Sequence, residues 1–271
     1  MIVGTTSSQT FPVTTHIVSA FSGTAAFVVK IDSQLQHIVA ATVLGGTKAV
    51  TERSQGSSTN GGAVATDSKG AVYLTGFTRA ADFPLSSGAF QTRPYQGAPF
   101  GLTPATPFVV GLSPDLNQLA FRRFFTAAVL DCATGTCMLT TATFTSVSAI
   151  TAGPSGSAIV AGYTTAADFP RTPGAYSNSG FCAAAIRVEC MFVTKLSTDG
   201  TKLVWSSVIS PSQPSIPVEF GISGVTLDTS GNVLVAGSGP IPPNYKRRNP
   251  DFDNPTRRRI SCTTGCKRAA S

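Results

Sequence analysis

Charge is scarce in this 271-residue chain: only 12% of residues are Asp, Glu, Lys or Arg. There are two histidines, His16 and His37, and one tryptophan. Neither histidine stands at a metal-ligand spacing from a cysteine or a carboxylate, so surface or loop positions are expected for both. No serine sits in a Gly-x-Ser-x-Gly elbow, and a Ser-His-acid triad has no obvious histidine to use. No apolar run approaches the roughly 20 residues of a membrane-spanning helix, so no membrane span is expected. No secretory leader is expected within this chain. Met1 is followed at once by strand-like sequence, without a basic n-region, an apolar h-region or a cleavage site. Together these absences argue against a triad hydrolase and a histidine- or cysteine-ligated metal site. No cofactor is expected, and the chain is read as not an enzyme.

What is present favours strands. Apolar residues make up 42% of the chain, with 26 Gly, 18 Pro and 17 Phe. That is a turn-rich globular composition, too apolar for a disordered chain. Residues 245–271 contain eight of the 20 Lys and Arg, including the run Arg257, Arg258 and Arg259. The excess of positive charge therefore belongs to a tail, and the body is close to neutral. No aromatic platform is interleaved with these arginines, so no nucleic-acid partner is expected. Six cysteines fall into three close pairs, Cys132/Cys137, Cys182/Cys190 and Cys262/Cys266. An even, locally paired set fits disulfides and an oxidising compartment, above all for the first two pairs. Cys262 and Cys266 lack the second half of a zinc site.

One phrase recurs along the chain. Ala158–Pro170 is a short apolar strand, a Gly, a Thr-rich turn and Phe-Pro. It returns at Ala71–Pro84, shortened at Ile2–Pro12, and partially at Asn232–Gly237. Gly4, Gly76, Gly162 and Gly237 close the strand, at spacings of 72, 86 and 75. Phe27, Phe108 and Phe192 open the next one, at spacings of 81 and 84. Each full unit reads as four strands, with variable length between the second and third. Units are expected at about 1–46, 62–129, 147–210 and 222–239, followed by a basic, disordered tail over 240–271. Four-stranded units repeated in one chain are a signature of propeller blades, which bury their apolar faces by stacking on neighbours.

The segments Val225–Gly237, Gly162–Tyr176 and Phe192–Ser206 resemble the bacterial seven-bladed β-propeller (SBBP) repeat. That repeat typically carries a Gly-Asn-Val-Tyr-Val-Thr-Gly strand, an Asp-Phe-Pro turn and a Phe-Val-x-Lys-Leu strand. The resemblance implies an exported or surface-attached bacterial protein, hence an extracellular or cell-surface location. It implies no shared reaction and no catalytic residue to transfer. The chain departs from the repeat at both ends. It starts at strand two of one unit and stops after strand two of another, giving 13 strands in two whole and two partial units. Residues 240–271 share nothing with the repeat. A truncated or frame-shifted product is one reading of these ends.

Each candidate site has an ordinary alternative. Asp67–Gly70 and Asp228–Gly231 look like acidic calcium loops, but each supplies one carboxylate where calcium takes six to eight oxygens. A hairpin turn, with Asp accepting backbone N–H groups and Gly at positive φ, explains them better. Ser197–Trp205 is close to the sialidase-type Asp box, itself a structural turn. Asp82 and Asp168 recur before Phe-Pro and suit capping better than acid–base work. Phe11, Phe83 and Phe169, like Phe27, Phe108 and Phe192, are expected as wedges between sheets. The expected fold is all-β, an incomplete propeller arc of four-stranded antiparallel blades. The expected function is a non-enzymatic scaffold whose insertions, 91–107, 130–143 and 177–190, meet a protein or glycan partner. A propeller-type hydrolase or lyase, or a fragment without independent function, are the alternatives.

Overall fold

The computed structural model describes residues 1–49, 57–84, 105–124, 144–166, 169–176, 188–210 and 221–239. Among them there is no helix. Thirteen strands form four antiparallel sheets in chain order. Sheet 1 is β1 (Ile2–Thr6), β2 (Ala25–Ile31) and β3 (Ile38–Leu44). Sheet 2 is β4 (Thr59–Thr66), β5 (Val72–Thr78), β6 (Thr106–Leu112) and β7 (Leu119–Phe124). Sheet 3 is β8 (Thr145–Ala152), β9 (Ala158–Thr164), β10 (Cys190–Leu196) and β11 (Leu203–Ile209). Sheet 4 is the hairpin β12 (Gly221–Leu227) and β13 (Val233–Ser238). Each sheet pairs strands that are sequential in the chain, and no sheet closes on itself. Cys132, Cys137, Cys182, Asp168, the two tail cysteines, Arg257–Arg259 and all of 240–271 lie outside the described residues.

The strands of the middle sheets are apolar on both faces because both faces are covered. Val72 and Leu74 of β5, with Phe108, Val110 and Leu112 of β6, pack against Ala26, Val28, Ala40 and Leu44 of sheet 1. The alternate residues Tyr73, Val109 and Phe121 turn the other way, onto Val147, Ile150, Val160, Phe192 and Val208 of sheet 3. The far face of sheet 3, through Ile159, Ala161 and Val193, meets Ile222, Val225, Val233 and Val235 of sheet 4. Period-two alternation thus sends successive side chains into two different cores. A fully buried Phe or Leu is worth about 1.5–3 kcal/mol, so the interfaces between sheets hold much of the stability.

The first strands carry a feature the sequence reading missed. The pairing of β4 with β5 shifts register between Gly61 and Ala63. That of β8 with β9 shifts between Val147 and Ala149, and that of β12 with β13 between Ile222 and Gly224. Gly62, Ser148 and Ser223 are therefore the extra residues of three equivalent β-bulges. The bulge also corrects the expected start of the second unit at Gly62. Strand β4 begins at Thr59, whose hydroxyl pairs with that of Thr78 at 2.8 Å in a fully buried contact. Thr145 and Thr164 repeat this pair at 2.9 Å in sheet 3.

Candidate functional site

The recurrent glycines and phenylalanines form a three-part stack. Phe83 lies on Phe108 with ring centroids 4.8 Å apart, and Phe169 lies on Phe192 at 4.3 Å. Phe11 lies on Phe27 at 4.8 Å. The third-strand ring in turn covers the second-strand glycine. A Cβ on Gly4 would meet Phe27 Cζ at 2.6 Å, one on Gly76 would meet Phe108 Cζ at 2.8 Å, and one on Gly162 would meet Phe192 Cζ at 2.9 Å. Offset stacking of this kind adds about 0.5–1.5 kcal/mol to the burial of the rings. Phe83 and Phe108 stand in the core between sheets 1 and 2, and Phe169 and Phe192 in the core between sheets 2 and 3. Gly237 has no ring beside it among the described residues, and its close neighbour is the Gly221 carbonyl.

The acidic positions are occupied by backbone. Asp67 Oδ1 accepts the amides of Lys69 and Ala71, both at 2.9 Å, and Oδ2 accepts the Tyr73 hydroxyl at 3.1 Å. Asp228 Oδ1 accepts the amides of Ser230 and Asn232, and Oδ2 the Asn232 side-chain amide. Gly70 and Gly231, at φ 84° and 81°, turn the chain behind them. Both loops are hairpin turns in geometry, and among the described residues no group of three His, Cys, Asp or Glu side chains could hold a metal ion.

Asp82 ties one sheet to the preceding one. Its Oδ2 accepts the Thr47 amide at 3.0 Å and hydroxyl at 2.6 Å, and Oδ1 accepts the Lys48 amide at 2.9 Å, all from the segment after β3. Burial works against its ionisation, but these donors outweigh it and hold the carboxyl below the ordinary range. In the near-Asp-box turn, Asp199 accepts the Ser197 hydroxyl and both the amide and hydroxyl of Thr201. Those bonds, that of Ser197 first, pull it down to about 2. A carboxylate held ionised by several donors is a poor general acid at neutral pH. His16 is exposed, and His37 is exposed beside Asp32, with Nδ1 3.0 Å from Oδ2. The two histidines do not meet Asp82.

Cys190 is fully buried and disulfide-bonded, to a partner outside the described residues. Tyr73 bridges two sheets, since its hydroxyl donates to the Gly156 carbonyl at 2.6 Å. Burial first, then the charge and hydrogen bond of Asp67, push its pKa up to about 12. A last repeated device covers the outer strand edges. The Ala41 amide donates to Thr14 Oγ1 at 2.8 Å, and the Ser206 amide donates to Thr172 Oγ1 at 2.9 Å. Thr14 and Thr172 each stand three residues after the Phe of Phe-Pro, so the chain beyond that turn runs down the last strand and occupies bonds an exposed edge would leave open.

These geometries assign frame roles to the recurrent residues. They also divide the molecule into two ends. Antiparallel order puts the tight turns 67–70, 153–156 and 228–231, with 32–37, 113–118 and 197–202, at one end of their sheets. The long connections between second and third strands, and those from each sheet to the next, leave from the other end. No protein-family model matches the chain, and no curated protein matches it significantly. No helix among the described residues is long and apolar enough to cross a membrane, which says nothing of membrane-spanning strands.

Proposed function

We propose that this chain is an arc of a β-propeller of the SBBP-repeat kind, a non-enzymatic scaffold of an exported or surface bacterial protein. It holds rim loops against a protein or glycan partner. The observation that carries the reading is the segregation of the connections. Every short turn is at one end of the sheets, and the three insertions, at 91–107, 130–143 and 177–190, leave from the other. Most of those insertions lie outside the described residues. A rigid frame with variable loops gathered on one rim is a common plan for recognition.

The arc itself is supported by a gradient of side-chain size. Near the first strands the sheets approach through backbone, where a Cβ on Gly61 would lie 2.6 Å from the Gly4 carbonyl oxygen. Farther out, Phe108, Phe121, Phe124 and Phe192 fill the space, all of them at most 1% exposed. Layers that are thin at one edge and thick at the other curve when stacked. The disulfide at Cys190 fits an oxidising compartment. The experiment is a pull-down from bacterial surface extracts and on a glycan array, with the full chain and with a form in which residues 91–104, 130–143 and 177–187, the parts of the insertions outside the strands, are replaced by short Gly-Ser turns. Binding is expected to be lost in the shortened form. Binding that survives unchanged overturns the reading.

A further inference from the structure

The two outer faces of the stack are not alike, and each has a counterpart inside the molecule. Eight residues after the third-strand Phe, the chain turns through positive φ at Leu35 (58°), Leu116 (60°) and Gly200 (65°). The three corners are equivalent in their hydrogen bonds, because each amide donates three residues back, to Asp32, Ser113 and Ser197. Glycine adopts this conformation freely and leucine does not.

At the interfaces between sheets 1 and 2 and between sheets 2 and 3 the corner sits on the preceding sheet. Leu116 is 0% exposed among Ala26, Val28 and Leu44, and its carbonyl accepts the Thr15 hydroxyl at 3.0 Å. A Cβ on Gly200 would meet the Phe121 ring at 2.5 Å. Leu35 is the same corner on sheet 1, and it is 81% exposed. Around it, Ile2 is 48% exposed where its equivalents Leu74 and Val160 are both 0%. Phe27 is half-buried where Phe108 and Phe192 are sealed. The outer face of sheet 1 thus carries, on the three strands it has, side chains that elsewhere receive a preceding sheet.

The opposite end carries the matching set. Ile159 and Ala161 of sheet 3 pack beneath sheet 4. Counting back from Gly162 and Gly237, their equivalents are Leu234 and Ala236, which are half-buried and exposed. Among the described residues the hairpin β12–β13 is what packs over Ile159, Ala161 and Val193 of sheet 3, so a two-stranded sheet can serve as one side of the contact.

We propose that these two faces join between copies, with sheet 4 of one molecule seated on sheet 1 of the next. The occupant is a second copy because the chain carries both halves of an interface that it already makes between its own sheets. The contact is heterologous, head to tail, and open-ended unless a ring closes.

The test is sedimentation velocity of the full chain at rising concentration. Wild type is expected to show a concentration-dependent rise in sedimentation coefficient. Leu35→Asp blocks the sheet 1 end and Ala236→Asp the sheet 4 end. Each variant alone should lose the rise and stay a monomer, while an equimolar mixture should form dimers and stop there, because one complementary pair of faces remains. Both positions are exposed, so far-UV circular dichroism should match wild type. Should Leu35→Asp disturb folding, Leu35→Gly keeps the turn, removes the side chain, and should still weaken association. A wild type that stays monomeric, variants that associate like wild type, or a mixture that does not dimerise each overturn the proposal.

Discussion

Alanine at Gly4, Gly76 and Gly162 should sort by what surrounds each, although the local sequence is alike. At Gly162 a Cβ would collide with the Ser146 carbonyl oxygen, and at Gly76 with that of Asn60, in addition to the Phe ring over each. Both carbonyls belong to the bulged first strand, and a bulge locked between two packed faces has little room to retreat. Overpacking of this kind costs about 1–3 kcal/mol and occasionally more. The unfolded chain returns only about 0.4–1 kcal/mol when Gly becomes Ala. Gly162→Ala and Gly76→Ala should therefore lose about 2 kcal/mol or more. Gly4 differs, since β1 has no first-strand partner in sheet 1 and the atoms nearest to a Cβ there belong to the Phe27 ring. That ring is half-buried and can swing, so Gly4→Ala should stay within about 1 kcal/mol of wild type. Urea melts at one low protein concentration read this as a shift in midpoint at constant slope. Removing the ring separates the two contacts. Phe192→Ala should not rescue Gly162→Ala, because the carbonyl stays in place. Equal losses at Gly4 and Gly162 would refute the argument.

Other outcomes follow from the same geometry. Leu116→Gly trades the burial of a core leucine, about 2–5 kcal/mol on truncation, against relief of a left-handed residue, roughly 1–2 kcal/mol. It should lose about 1–3 kcal/mol in urea melts, whereas Leu35→Gly should be neutral or gain up to about 1 kcal/mol. Tyr73 is raised in the folded state to about 12, so its contribution to stability is present below the unfolded value near 10 and is lost as pH rises through 12. In an ultraviolet titration one tyrosine should ionise late, and Tyr73→Phe should remove it. Asp199 is lowered to about 2, so its contribution is present above its ordinary 3.8 and is lost as pH falls through 2. A carboxyl NMR titration should find it ionised at pH 3, and Ser197→Ala should raise its midpoint. Reduction of the buried disulfide at Cys190 should lower the melting temperature, read by calorimetry with and without reductant.

The strand pattern was open to sequence reasoning because Gly and Phe recur in it at near-constant spacing, and a residue type that recurs in register marks a shared backbone position. Three features stayed hidden for identifiable reasons. The bulge residue is Gly62 in one sheet and Ser148 and Ser223 in the others, so no single residue type flags it. The only common signal is smallness. The positive-φ corner is disguised because two of its three occupants are leucine. Propensity points away from Leu there, and burial of Leu116 overrides it. The buried Thr59–Thr78 and Thr145–Thr164 pairs were accessible in principle, since both are separated by 19 residues. Hydroxyl pairing across strands has no pattern of its own, however, and a threonine-rich chain hides it. The outer-edge bonds of Thr14 and Thr172 give no signal in the sequence, because a threonine three residues past Phe is unremarkable in a threonine-rich chain.

Recurrence also separates frame from function. Among the described residues each acidic turn that looked like a site is used up locally, with Asp67 on two amides and a tyrosine, Asp82 on the segment after β3, and Asp199 and Asp228 on their own turns. Most of the acceptor sites of such a carboxylate are taken, and the donors hold Asp82, Asp199 and Asp228 below the ordinary carboxylate range. Selection for stacking acts equally on every unit, so it produces positions that repeat. Selection for one partner acts at one place, so it produces positions that do not. On that ground recognition is sought where the units differ, in the connections at the long-loop end and in the side chains that one sheet exposes and its equivalents bury. Leu35 belongs to the second class: its sequence context follows the repeat, but its 81% exposure does not.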